Sequence, residues 1–393
     1  MFAHLEYDFL APPRIVFGWG RRREAGTIAA SLGRRAFVIH GSRTLFTKGI
    51  LPEIVDSLEK AGVTVVSAGH VYEEPQVADV DRIVELLRRE HAAPGDLLLA
   101  VGGGSAIDLA KAAGAIAPQP GHASVIDYLE GVGKGLSLTQ APLPLLAMPT
   151  TAGTGTEATK NAVISSYDPP FKKSLRSDLM VPRAVLVDPE LSVSVPPATT
   201  AHTGMDAITQ LIESYITRKP RPLAQALAME GLAKAAPALL EAYRDGSSRP
   251  AREAMSHAAL LSGMALANSG LGMAHGVAAA LGVHCRVRHG LACAVMLPAA
   301  LRVNRTAREP ELARIGEILT GRTWPNTACA ADAALVAIDD LCQAVGIPRR
   351  LSELGVTREV LPALVAGSRG NSMNGNPRDV SDQELIEILE GML

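Results

Sequence analysis

The chain has 393 residues, 47% hydrophobic and 20% charged, with 38 Lys and Arg against 40 Asp and Glu for a formal net charge of -2. At ~150 residues per domain this is a folded globular protein of two or three domains, which excludes a chain disordered through its bulk. The near-neutral balance gives no electrostatic support to a nucleic-acid or membrane-surface role, and 4% aromatics do not furnish a base-stacking surface.

The opening MFAHLEYDFLAPPRIVFGWG carries acids and prolines and has no apolar core, so no signal peptide is expected. Residues 35–40 (RAFVIH) form a β-branched run before Gly41-Ser42, a strand followed by a turn. A helix is expected over 50–61, a strand over 64–68 and a helix over 77–90. The strand over 96–101 (DLLLAV) runs into Gly102-Gly103-Gly104, with a helix over 106–117. A further strand over 143–148 leads into a loop over 149–156. Such alternation implies a parallel sheet with helices on both faces. After Pro196-Pro197 the texture changes to Ala/Leu/Met-rich stretches divided by Gly, Pro or Asn. Helices are expected over 205–217, 222–243, 250–268, 273–281, 291–304, 309–319, 327–345 and 381–393. No apolar stretch approaches the ~20 residues of a membrane span. The four cysteines, at 285, 293, 329 and 342, form no tight framework, so a reducing cytoplasm is expected. The fold class is therefore an N-terminal α/β domain with a parallel sheet, residues 1–190, and an all-α C-terminal domain, residues 191–393.

Two loops carry the chemistry of the first half. In LLLAVGGGSAIDLAKA a buried strand ends in three glycines, then Ser105 opens a helix with Asp108 in its first turn. Glycines let the backbone approach a ligand, and a helix N-terminus offers free N–H groups to a phosphate. A tight turn with Ser105 as helix cap is the plainer reading, and the spacing is not GxGxxG. The second loop, Pro149 to Glu157 (PTTAGTGTE), offers small hydroxyls and two glycines after another strand end. Paired loops at strand C-termini suit a dinucleotide. In the second half, Asp206 and Gln210 share a helix face, and His275 and His289 follow in GLGMAHG and VRHGLACA. Asp with two His is a ligand set for Zn2+ or Fe2+, although each His also reads as a hydrogen-bonded core residue. His202, His257 and His284 read as core residues, and Glu213 as a helix-face charge.

VGGGSAIDLAKA, PTTAGTGTEAT, VDPELSVSVPPATTAHTGMDA, LGMAHGVAAALG, HGLACAVMLP and NPRDVSDQEL occur in the order and spacing of a known family. The chain resembles the iron-containing (group III) alcohol dehydrogenases, relatives of glycerol dehydrogenase and dehydroquinate synthase. The resemblance implies an NAD(P)-dependent oxidoreductase acting on a small alcohol, aldehyde or ketone, with a divalent metal polarising the carbonyl, and a homo-oligomer. Carried over, Gly102, Gly103, Gly104, Ser105 and Asp108 would meet the pyrophosphate and nicotinamide side of the dinucleotide. Thr150, Thr151 and Thr154 would line it, and Asn161 with Lys172 or Lys173 would reach ribose or phosphate. Asp206, Gln210, His275 and His289 fall at metal-ligand positions.

Two departures stand out. Gln210 occupies a position where the family usually has His, and a neutral amide is the weaker ligand. Ala279 replaces a second family His, which leaves the proton route open. The turn Gly41-Ser42-Arg43 has no carboxylate for an adenosine 2′-hydroxyl, and Ser42 or Arg43 could bond a 2′-phosphate, so NADP(H) is expected over NAD(H). The rival readings are a metal-independent reductase of the maleylacetate reductase type and a non-catalytic dinucleotide-binding protein.

Overall fold

The computed structural model describes residues 6–121 and 124–393. Residues 1–5 of the opening stretch discussed above therefore lie outside the described range. The chain forms two compact units. One comprises Pro12–Pro196 and Asp245–Ser256. The other comprises Pro197–Arg244 and His257–Leu393 with the stretch ending at Ala11.

The first unit contains β1 (Ile15–Phe17), α1 (Ala25–Ala30), β2 (Arg35–His40), α2 (Thr44–Thr47), α3 (Ile50–Lys60), β3 (Thr64–His70) and α4 (Val77–Arg89). It continues with β4 (Asp96–Gly102), α5 (Gly104–Ile116), β5 (Leu145–Pro149), β6 (Asn161–Tyr167), β7 (Pro170–Arg176) and β8 (Ala184–Val187). Six strands form one sheet in the order β1-β8-β5-β4-β2-β3, every pair parallel. β6 and β7 make a separate antiparallel hairpin.

The side chains explain the layering. Phe37, Ile39, Leu98 and Ala100 belong to one apolar cluster, which includes residues of α4 and α5. Ala36, Val38, Leu97, Leu99 and Val101 belong to another, which includes residues of α1 and α3. Alternate residues of β2 and β4 thus face opposite sides of the sheet, and both sides are covered. Leu97, Leu98 and Leu99 are fully buried, each contributing roughly 1.5–3 kcal/mol of transfer free energy. That anchors β4 on both faces up to the glycines at its end. α4 starts with a reciprocal cap between Gln76 and Asp79. α5 is buried along its whole length from Ala106 to Ile116, so Asp108 and Lys111 must find partners inside the protein.

The regular structure described in the second unit is helical. α6 spans Pro197–Ile216, α7 Pro222–Arg244 and α8 Arg249–Asn268, the last belonging to this unit from His257 on. Then follow α9 (Met273–Cys285), α10 (His289–Asn304), α11 (Glu309–Thr320), α12 (Thr327–Ala344), α13 (Leu361–Gly367), α14 (Asn371–Asn374) and α15 (Asp382–Glu390). Among the described residues no single helix is long and apolar enough to cross a membrane. α6 begins eight residues before the helix expected from the sequence, because Pro197 fits a first helical turn, where no N–H is needed.

Candidate functional site

In the sheet unit, the parallel register brings three loops to one edge. His40 pairs with Val101 and His70, and Gly102 with Pro149, so the C-terminal ends of β2, β3, β4 and β5 lie side by side. Gly41 and Ser42 follow β2, Gly102–Gly104 and Ser105 join β4 to α5, and Thr150, Thr151 and Thr154 follow β5. The loops are in close contact. The Gly41 amide donates to the Val101 carbonyl and the Thr150 amide to that of Gly102, both at 3.0 Å. A Cβ on Gly102 would sit 2.9 Å from the Gly41 nitrogen, and one on Gly104 would sit 2.8 Å from Thr154 Oγ1. The glycines therefore create a shallow backbone cradle at the N-terminus of α5, where free N–H groups and the helix dipole favour an anionic phosphate.

Asp108 and Lys111 hold that cradle from beneath. Asp108 turns inward, accepting from Thr156 Oγ1 and, at 3.1 Å, from the Val163 amide. Lys111 Nζ donates to the Thr159 carbonyl at 2.8 Å, the Asn161 carbonyl at 3.0 Å, Thr159 Oγ1 at 2.9 Å and Thr156 Oγ1 at 3.2 Å. Burial pushes the Asp108 carboxyl above its usual range and brings the Lys111 ammonium down to about 8. Together these side chains fasten the threonine loop and the start of β6 onto α5. Asn161 opens β6, and Lys173 lies opposite Ile164 in the hairpin, whereas Lys172 is ion-paired with Glu74 at 2.5 Å.

At the ends of β2 and β3 a basic, aromatic group gathers. The His40 and His70 rings stack at 5.6 Å, His70 stacks on Tyr72 at 4.5 Å, and the Arg43 guanidinium lies 5.0 Å from the Tyr72 ring centre. Burial, with His70 alongside, keeps the His40 pKa below its ordinary value.

In the helical unit, side chains from three helices converge. Asp206 comes from α6, His275 from the first turn of α9, and His289 and Cys293 from the first two turns of α10. One donor atom from each of the four lies within 4.8 Å of all the others. Asp206 Oδ1 is 3.2 Å from His275 Nε2 and 3.9 Å from His289 Nε2, and Cys293 Sγ is 3.7 Å from His289 Nε2. Asp206, His275 and Cys293 are buried, and His289 is part-exposed. Burial opposes the charge on Asp206, but the two imidazoles outweigh it and hold the carboxyl below the usual range. For His275 burial again opposes charge, and Cys293 together with the Asp206 and Glu213 carboxylates overcomes it and raises its pKa. Burial drives the Cys293 thiol up to about 12. A carboxylate, two imidazoles and a sulfur at this spacing fit a divalent transition metal.

Glu213 corrects the expectation of a helix-face charge. It is buried on α6, two turns beyond Asp206, and lies 2.7 Å from His275 Nδ1. It also accepts from the amides of Gly272 at 2.9 Å and Ala274 at 2.7 Å. The buried Asn376, from the late NPRD stretch, accepts from the Met273 amide at 3.2 Å. Glu213 and Asn376 thus satisfy the first amides of α9 and fix where His275 begins. Gln210 lies on the same face of α6, and its Oε1 accepts from Ser262 Oγ on α8 at 2.7 Å.

A family model described as iron-containing alcohol dehydrogenase matches residues 12–189, and one for the C-terminal part of the same family matches residues 200–393. The chain belongs to the iron-containing alcohol dehydrogenase family. It is an oxidoreductase of the alcohol dehydrogenase and aldehyde reductase type. It is 31% identical to an NAD-dependent methanol dehydrogenase of Bacillus methanolicus over 98% of this chain and 100% of that protein. It is 33% identical to a 1,3-propanediol dehydrogenase of Klebsiella pneumoniae over 97% of each. A crystal structure of a 1,3-propanediol oxidoreductase superposes with a TM-score of 0.90 at 32% identity, over 99% of this chain and 100% of the other.

Set within this dehydrogenase fold, sequence reasoning missed Lys111, Glu213 and Cys293. Two had a local signal. Asp206, Gln210 and Glu213 recur at i, i+4 and i+7 along α6, and Cys293 stands four residues after His289, on the same helix face.

Proposed function

We propose that the protein reduces small aldehydes or ketones, and oxidises the matching alcohols, with a nicotinamide dinucleotide held at the sheet edge and a divalent metal held by the helical unit. The observation that carries this reading is the convergence of Asp206, His275 and His289 from three helices. These residues would hold the cation. When bound, the metal supplies a Lewis acid for the carbonyl oxygen and the nicotinamide supplies the hydride.

The protein's part is placement. The cradle at Gly102–Ser105 would take the pyrophosphate on backbone amides, with Gly41 allowing close approach from the neighbouring strand. Thr150, Thr151 and Thr154 would line the other wall, with Asn161 and Lys173 reaching ribose or phosphate from the hairpin. Asp108 would act beneath this surface, through Thr156 and the Val163 amide. Glu213 would orient His275 by accepting from Nδ1, which leaves Nε2 for the cation. Four unpaired cysteines support a reducing cytoplasm as the setting.

The dinucleotide is NADP(H) in preference to NAD(H). Arg43 on Tyr72, with Ser42 beside it, offers a charged and a hydroxyl donor where a 2′-phosphate would lie. The test is kcat/KM for NADPH and NADH across a panel of small aldehydes. The parent favours NADPH. A charge-assisted phosphate bond is worth about 1.5–3 kcal/mol, so Arg43→Ala lowers the NADPH value about ten-fold or more and leaves NADH within about two-fold. Equal values for both dinucleotides in the parent would remove the NADP assignment. Dinucleotide binding without turnover of any carbonyl would favour a non-catalytic role.

A further inference from the structure

We propose that Cys293 is a protein ligand of the metal, so that the site is Asp206, His275, His289 and Cys293. This rests on the metal reading above and goes beyond it by assigning the fourth position to a thiolate.

The distances suit a shared cation. His289 Nε2 to Asp206 Oδ1, at 3.9 Å, is too long for a hydrogen bond, and Cys293 Sγ lies 3.7 Å from His289 Nε2. They are close to the edges of a coordination tetrahedron: Zn–N of about 2.0–2.1 Å and Zn–S of about 2.3 Å give edges of about 3.3–3.6 Å. His275 Nε2 to Asp206 Oδ1, at 3.2 Å, is a third such edge. The helical spacing is right as well, since residues four apart on α10 project to one side. A buried cysteine is ordinarily a small apolar filler. Cys293 instead faces two imidazoles and a carboxylate. Gln210, the other candidate for this place, has its carbonyl oxygen on Ser262 Oγ. On taking the cation the thiol releases its proton to solvent, and the S–H bond is replaced by an S–metal bond. A thiolate among nitrogen and oxygen donors suits Zn2+ or Co2+ better than Fe2+.

The test is a titration of metal-free protein with Co2+, followed by absorption. The parent gives visible d–d bands at one equivalent together with a near-ultraviolet thiolate-to-cobalt charge-transfer band. Cys293→Ser keeps the d–d bands, loses the charge-transfer band, and binds Co2+ more weakly by about ten-fold or more. Gln210→Ala keeps both sets of bands. A parent complex with d–d bands and no charge-transfer band overturns the thiolate assignment and leaves the metal reading standing. A charge-transfer band that survives in Cys293→Ser also overturns it, since another cysteine is then the ligand. A parent that takes up no Co2+ overturns both. A parent spectrum without the charge-transfer band overturns the assignment whether or not either variant folds, and circular dichroism of Cys293→Ser checks its fold before its spectrum is read.

Discussion

Glu213 sets how well His275 can serve. Its carboxylate lies 2.7 Å from His275 Nδ1 and takes two amides from the first turn of α9. Ring orientation and helix start are thereby fixed by one side chain. Partners of this kind typically govern about 10–100-fold in metal affinity. Glu213→Gln, which keeps the shape and removes the charge, is expected to weaken Zn2+ binding within that range in equilibrium dialysis, with little loss of helix by circular dichroism. Unchanged affinity would show that His275 needs no such support. Glu213 was hard to read from the sequence because charge on a helix usually means solvent. Its burial follows from packing against the start of α9, sixty residues away in sequence. Asp206, His275 and His289 were legible because Asp and His stand out in Ala/Leu/Gly surroundings, yet the sequence alone left core packing open for each His.

At the scale of elements, the cradle depends on loops that touch. A Cβ on Gly104 would meet Thr154 Oγ1 and Cγ2 at 2.8 Å, and threonine is too stiff at χ1 to yield easily. Overpacking of this kind costs about 1–3 kcal/mol, so Gly104→Ala is expected to weaken dinucleotide binding about ten-fold. Dinucleotide fluorescence titration measures this, and bound metal should stay at the parent level. A parallel fall in metal content would mean that the substitution acts through general unfolding. β2 through β5 were legible because central parallel strands are continuous apolar runs and their ends carry glycine. The hairpin of β6 and β7 was not. PFKKSLR has little β-branched character, and its pairing is stated only by its neighbour across the turn. β1 and β8 are three and four residues long, too short to show a period. Lys111 went unread because a lysine among alanines looks like a solvated helix face, whereas α5 is buried on all sides.

For the whole molecule, near-neutral charge and sparse aromatics point away from polymeric ligands, and the two matched halves point to a redox enzyme of small molecules. Motifs in both halves made the family legible from sequence, because glycine loops and ligand positions keep fixed spacings. Substrate and metal identity were not legible, since they depend on side chains brought together from distant segments. On the proposed reading, carbonyl reduction here needs the cation held by Asp206, His275 and His289. The direct measurement is NADPH oxidation by an aldehyde substrate, with protein stripped by chelation and then reloaded with one equivalent of Zn2+, Co2+ or Fe2+. Turnover is expected to fall with the metal while dinucleotide binding is retained, and to recover in proportion to metal bound. Full turnover by protein holding less than about a tenth of an equivalent of metal would contradict it and favour a metal-independent reductase.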